Sequence, residues 1–374
     1  MRIAYVVSGV DRMLILERTL LELSFSVEHL VVIQLNPASK KLSEFLQKQA
    51  IKTEIITTES IVSWVLVIAR IQKILRKEAV DIAHVHFFLA GLLGITAAWL
   101  ARVPYRIYTR HHGSEHHMHH PKGVVMDKYI NCFSTDIIAI SPAVQDILVH
   151  KEKVSVDKIS FIPHGLDFET YINTSDARIE GLRNKYEIKG DDFPVIGVIA
   201  RYDEPKGHQY IIQAFQMVLE QFPRAKLVLA NARGPYKGQV QQFLKTIPTT
   251  SFTEIEYEYD VISMYKLFDV FMHLPTSADY ESFGLVYLEA LALSIPSVFT
   301  ISGIASEFLK DGENALIVPY RDATAAATAI QQLINDPDLA ARLKSQGKAD
   351  VLGRFSFDNY FSQLLQLYRG KTAA

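Results

Sequence analysis

Met1-Arg2-Ile3-Ala4-Tyr5-Val6-Val7-Ser8, followed shortly by Leu14 to Leu23, decides how the chain is read. The first run is apolar and rich in β-branched residues, as a buried strand requires; the second repeats its apolar residues at helical spacing. The couplet recurs as Leu30 to Leu35 with Lys41 to Gln49, and as Glu54 to Thr57 with Ile61 to Lys77. Such alternation means parallel strands joined by crossover helices. Asp81 to His86, Arg106 to His111 and Asp136 to Ser141 extend the series, the last leading into a helix at Pro142, a residue suited to a first helical turn. A six- or seven-stranded doubly wound sheet is expected over about the first 165 residues.

After Ile159 to Pro163 comes a polar stretch with few large apolar residues, closed by Gly190-Asp191-Asp192-Phe193-Pro194. Such punctuation marks a break between elements. The α/β pattern then restarts with Pro194 to Ala200, the helix His208 to Gln221, Lys226 to Ala230, Asp269 to Leu274, Ser297 to Ile301 and Ala315 to Val318, and Phe357 to Arg369 reads as the last helix. The expected division is a first domain over 1–172, a linker over 173–193 and a second domain over 194–355.

Length agrees, since 374 residues suit two domains of ordinary size. A content of 49% hydrophobic and 21% charged residues is that of a globular protein, and a net charge of -2 argues against a dedicated nucleic-acid binder. The single cysteine, Cys132, cannot form an intramolecular disulfide and reads as a structural thiol. The opening residues form a strand pattern and lack the apolar core and cleavage site of a signal peptide, so a cytoplasmic location is expected. Phe87 to Ala101 is too short to cross a bilayer and reads as a buried helix.

Glu281-Ser282-Phe283-Gly284-Leu285-Val286-Tyr287-Leu288-Glu289 opens a helix between two carboxylates. If most of it is helical, Glu281 and Glu289 stand roughly 12 Å apart along the axis, enough to bracket a diphosphate. Backbone N–H groups near Phe283, Gly284 and Leu285 suit phosphate oxygens at the positive end of the helix dipole. Isolated glutamates are more often surface groups; the surroundings decide otherwise here. Arg201-Tyr202-Asp203-Glu204-Pro205-Lys206-Gly207 follows a strand and precedes a helix, where open α/β sheets bind ligands. Arg201 offers a planar fork and Lys206 a mobile charge, suited to a departing nucleoside diphosphate without a metal.

These two stretches, in this order, resemble the donor domain of the retaining GT-B glycosyltransferases of family 4. The resemblance implies two Rossmann-like doubly wound domains facing each other across a cleft, with the helix over 356–374 packed back on the first. It implies that Glu281 contacts the donor sugar, Glu289 the ribose, and Arg201 and Lys206 the diphosphate. Ile162-Pro163-His164-Gly165-Leu166-Asp167 is similar to the family's turn into the linker, with His164 in place of Asn. Ile138-Ala139-Ile140-Ser141, Gly303 and Asp311-Gly312-Glu313-Asn314 also resemble its patterns. Ser8-Gly9-Val10-Asp11 has one glycine where the family has adjacent glycines, and Ala232-Arg233-Gly234-Pro235 lacks the first glycine of Gly-x-Gly-Pro. Gly234 is expected near the nucleotide and Gly9 on the acceptor side.

Eleven of the thirteen histidines precede the linker, among them His84, His86, His111, His112, His116, His117, His119 and His120. Imidazoles this dense can ligate zinc, but no cysteine or HExxH spacing accompanies them, and no metal is expected. By the family's Thr-x-His register His111 is the catalytic histidine; His84, His86 and His112 are acceptor-side candidates. Ile61 to Lys77 carries Arg70, Lys73, Arg76 and Lys77 in its last turns. Cations at a helix end complement its dipole, and a peripheral membrane contact is a second reading of the same segment.

The expected activity is a metal-independent, cofactor-free hexosyl transfer with retention, from a nucleotide-diphosphate sugar, UDP-sugar foremost, to a hydroxyl of a glycan, a lipid-linked acceptor or a small molecule. A nucleotide-sugar epimerase and a non-catalytic nucleotide-sugar-binding subunit are the alternatives. A dinucleotide oxidoreductase is disfavoured because no Gly-x-Gly-x-x-Gly follows the first strand.

Overall fold

A computed structural model describes residues 1–11, 13–58, 60–168 and 174–372. The expected boundary between residues 172 and 173 lies outside the described residues. The chain forms two compact units, Met1–Leu166 with Phe357–Ala374, and Asp167–Ser356.

The first unit is built on β1 (Arg2–Ser8), β2 (His29–Leu35), β3 (Lys52–Ile56), β4 (Ile82–His86), β5 (Tyr105–Arg110), β6 (Asp136–Ala139) and β7 (Ile159–Phe161). Their order is β3-β2-β1-β4-β5-β6-β7, and every pair is parallel. Ile3, Ala4, Tyr5 and Val6 are fully buried, which explains why this strand reads as a continuous apolar run. The chain runs outward from β1 to β3, then returns to place β4 on the other side of β1. That reversal is the topological switch point. Phe88–Ala101 is a helix with seven buried residues, although Trp99 and Leu100 at its end are 47% and 39% exposed. Cys132, read as a structural thiol, is exposed.

The last helix, Phe357–Thr372, belongs to this first unit. Its Tyr368 hydroxyl meets the Tyr5 hydroxyl at 2.8 Å, and Lys371 pairs with Asp136 at 2.7 Å. The Arg18 guanidinium lies over the Phe357 ring at 4.4 Å.

The second unit holds β8 (Val195–Ile199), β9 (Lys226–Ala230), β10 (Phe252–Ile255), β11 (Val270–His273), β12 (Ser297–Phe299) and β13 (Leu316–Ile317), in the order β10-β9-β8-β11-β12-β13. All its pairs are parallel, with the switch point between β8 and β11. The edge strand β10 was not expected, because Phe-Thr-Glu-Ile is half polar and shows no strand-like core face. The 173–193 stretch contains a helix, Asp176–Lys185, whose start is capped by the Ser175 side chain. Only Leu182 of that helix is buried, so its sequence lacks an apolar stripe. Arg178–Asp260 and Lys185–Glu258 contacts, each 2.7 Å, tie it to the unit instead.

Candidate functional site

The second unit gathers its charged residues at the carboxyl ends of β8 and β11. The turn after β8 carries Arg201 to Gly207, and the Thr276 amide donates to the Pro205 carbonyl at 2.9 Å, joining that turn to the loop after β11. Lys206 and Glu281, 75 residues apart in the chain, are thereby brought into contact through Glu281 Oε1. His273, the last residue of β11, approaches the same oxygen at 2.8 Å. Lys206 Nζ also lies over the Tyr280 ring at 5.5 Å.

Burial alone would raise the Glu281 carboxyl's pKa. The Lys206 charge and the His273 hydrogen bond outweigh it and hold the group at about 2. His273 is held below the usual imidazole range by burial first, against the pull of Glu281. His208, just past the Lys206 turn, is pushed down to about 3 by burial foremost, with the Lys206 charge adding to it. A lone carboxylate here would be costly; paired, it stays charged at any working pH.

Arg201 is more exposed, its side chain 57% accessible, and it sits 3.4 Å from Asp203. Gly234, at φ 150°, lets the turn after β9 approach the β8 turn, since a Cβ there would stand 2.4 Å from the Tyr202 carbonyl oxygen. Gly284, at φ 88°, precedes the helix Leu285–Ala292, and no side chain caps that helix. The left-handed Gly284 is where extended chain becomes helix, so Glu281, Ser282 and Phe283 stand outside it. The roughly 12 Å axial spacing expected from a mostly helical interval therefore does not apply. Glu289, within the helix, is half-buried and accepts from the Tyr265 hydroxyl at 3.0 Å.

In the first unit the carboxyl ends of β4 and β5 carry histidines. His86 Nδ1 and His111 Nε2 are 3.0 Å apart, and the His111 ring stacks on Phe87 at 4.3 Å and His164 at 5.4 Å. Burial foremost, and neighbouring imidazoles next, hold His86 and His111 well below the ordinary histidine pKa. His164 is lowered to about 4 by burial. His84, expected on the acceptor side, is fully buried: its Nε2 lies 2.6 Å from the Thr109 hydroxyl and its Nδ1 contacts the Tyr368 hydroxyl. Both ring nitrogens are thus taken within the core. Gly9, at φ 65°, is exposed and its amide donates to the Leu35 carbonyl at 3.1 Å.

His112 joins a buried ionic cluster that the sequence does not announce. Arg110 pairs with Asp127 at 3.0 Å and Glu152 at 2.7 Å, all three side chains at most 1% exposed. His112 and His116 contact Asp127 at 2.9 and 2.7 Å, and His117 contacts Glu152 at 3.1 Å. Among the described residues, His112, His116 and Asp127 are the group whose ligand atoms converge, within 4.8 Å of one another, as a metal ion would need. The same atoms are already hydrogen-bond partners, with Arg110 on Asp127. His273 is the other functional candidate that sequence reasoning missed; a histidine closing an otherwise apolar strand was its only signal.

Comparison with known proteins points to glycosyltransferases. The family described as Glycosyl transferases group 1 matches residues 179–350, and Glycosyltransferase Family 4 matches residues 39–170. The Staphylococcus aureus capsular polysaccharide biosynthesis glycosyltransferase CapM is 29% identical over 75% of this chain and 74% of its own. The alpha-monoglucosyldiacylglycerol synthase of Acholeplasma laidlawii is 25% identical over 67% of this chain and 66% of its own. Among solved structures, Anabaena Alr3699/HepE in complex with UDP-glucose superposes with a TM-score of 0.84 at 20% identity, covering 99% of this chain and 100% of that one.

Proposed function

The chain belongs to the family 4 and group 1 glycosyltransferases of GT-B fold, and we propose that it moves a hexose from a UDP-sugar to an acceptor hydroxyl with retention and without a metal. The observation that carries this reading is the meeting of Lys206 and Glu281 at the switch point of the second sheet. Arg201, Lys206 and the backbone N–H groups at the start of Leu285–Ala292 receive the diphosphate charge as the glycosidic bond breaks, which is the largest electrostatic demand of the step. Glu281 holds the sugar, Glu289 the ribose, and Ser282, Phe283, Gly284, Leu285 and Gly234 line the donor. The acceptor hydroxyl enters on the face the diphosphate leaves and passes its proton to a departing phosphate oxygen. His111 is the first unit's catalytic contribution.

The UDP assignment is supported by the UDP and UDP-glucose held by the Anabaena protein. Incubating the chain with UDP-, GDP- and ADP-sugars, and following hydrolysis and thermal stabilisation, tests it. No stabilisation by any UDP-sugar would reject the donor; unchanged turnover in Glu281→Gln would reject the site. EDTA is expected to leave the rate unaltered, and the product's anomeric configuration to match the donor's. Isomerised nucleotide sugar formed without acceptor would favour an epimerase instead.

A membrane-borne acceptor is favoured by one surface. Ile61, Val62, Val65 and Leu66 are 73%, 87%, 73% and 73% exposed, and Arg70, Lys73 and Lys77 continue their face along the helix Trp64–Lys77. Exposed apolar side chains beside cations match an anionic bilayer surface. No described helix is long and apolar enough to cross a membrane. Co-sedimentation with phosphatidylglycerol vesicles but not phosphatidylcholine vesicles, lost in Val62→Glu/Leu66→Glu, is expected; equal recovery with both would remove this reading.

A further inference from the structure

His273 and Lys206 both reach Glu281 through one carboxylate oxygen, Oε1. Among the described residues nothing donates to Oε2. The two donors differ in kind. Lys206 carries a full charge on a mobile stem, its side chain 18% accessible, whereas His273 is 2% accessible and ends a central strand. Its ring packs edge-on against Tyr287 at 4.9 Å, and the Tyr287 hydroxyl is anchored to the Thr300 carbonyl at 2.9 Å. Lys206 can therefore move, and His273 is fixed.

The His273 tautomer follows from its partner. An ionised carboxylate only accepts, so Nε2 bears the proton and Nδ1 is bare; Nδ1 has no partner among the described residues. An unpaired buried acceptor is cheaper than an unpaired buried donor, so this assignment also leaves the less costly orphan. The groups facing this ring are Glu281, Lys206, His208 and Tyr287. A second positive charge beside Lys206 is disfavoured, which leaves His273 as a neutral donor.

We propose that His273 is a positioning residue that fixes Glu281 through Oε1 and frees Lys206 to transfer from that carboxylate to the donor's diphosphate. The inference rests on the donor site proposed above. Before the donor arrives, Lys206 neutralises Glu281; once the diphosphate is in place, Lys206 turns to it, and His273 is the donor left to keep the carboxylate ionised, with Oε2 directed to the sugar. A charged residue in its place would compete with Lys206; an apolar one would let Glu281 take up a proton or rotate.

The test compares His273→Leu, which removes the donor, with His273→Gln, whose amide N–H can reach the same oxygen, after thermal melts show that both fold. Wild type and Glu281→Gln run alongside on the donor that the panel identifies. His273→Leu is expected to move the acid limb of kcat, which reads the donor-bound enzyme, upward by about one pH unit, because a hydrogen bond to the charged form is lost. His273→Gln should bring the limb back toward wild type. If wild type turns over donor, Glu281→Gln is crippled, and His273→Leu keeps the wild-type limb, the role assigned to His273 is overturned while the donor site stands. If Glu281→Gln is as active as wild type, the donor site itself fails. In the nitrogen NMR spectrum of the free enzyme His273 should be neutral with the proton on Nε2; a protonated ring would also overturn the proposal.

Discussion

Both units carry polar side chains at the carboxyl ends of their central strands, but the two sets are partnered differently. In the first unit the formal charges, Arg110 with Asp127 and Glu152, are sealed in a cluster at most 1% exposed. The histidines nearest its switch point, His84 and His86, are buried and neutral. In the second unit Lys206 and Glu281 are 18% and 11% accessible, and Arg201 is more than half exposed. Charge that is fully matched inside the protein stabilises the fold. Charge left at the edge of a pocket can still be claimed by a ligand. The contrast predicts that the first set governs folding and the second governs turnover.

The sharpest way to break that contrast is Arg110→Met. It strands two buried carboxylates and should cost roughly 3–5 kcal/mol in denaturant unfolding. Acidification should recover part of the loss by protonating one of them; full stability at neutral pH would show that the cluster is not what it appears from its geometry. Lys206→Ala should act in the opposite sense, lowering kcat by roughly 100–1000-fold while circular dichroism stays that of the native fold. If Lys206→Ala unfolded the chain while Arg110→Met merely slowed it, the division of labour would be reversed.

Tyr368→Phe is a finer probe, because the Tyr368 hydroxyl serves both the Tyr5 hydroxyl and His84. Leaving those buried groups without it should cost about 1–3 kcal/mol, read from the urea midpoint. The last probe concerns pH. His84 is held at about 3, chiefly by burial, while an unfolded imidazole titrates near 6.5. Between those values the unfolded state binds the extra proton, so stability contributed by the neutral ring is complete above about pH 6.5 and falls as pH drops toward 3. His84→Gln should flatten that decline by about 1.4 kcal/mol per pH unit. An unchanged slope would mean that His84 is not kept neutral by the fold.

The sequence made the architecture legible where burial is two-sided. β1, β4 and β8 are apolar enough to be recognised from composition, and Gly9 after β1 and Pro194 before β8 punctuate two of them. β10 and the helix Asp176–Lys185 were hidden because they are held largely by polar contacts, such as Arg178 with Asp260, and not by an apolar face. Arg201, Lys206 and Glu281 stood out in the sequence because each sits at a strand-to-helix junction with local residue patterns around it, and Glu289 because it closes the same pattern inside the helix. The Arg110 cluster was not, since its carboxylates lie 17 and 42 residues further along and nothing local pairs them. His84 illustrates the same limit in reverse. Its place at a strand end suggested a pocket, and a hydroxyl from the other end of the chain claimed it.

That last contact sets an order on synthesis. Tyr5 leaves the ribosome 363 residues ahead of Tyr368, yet their hydroxyls finish 2.8 Å apart. Asp167–Ser356 can be translated entire while the sheet that began the chain still lacks its closing helix. The unit begun by β1 therefore matures after Asp167–Ser356 has been made, and a nascent chain arrested before Phe357 would expose an unfinished sheet to proteases and chaperones.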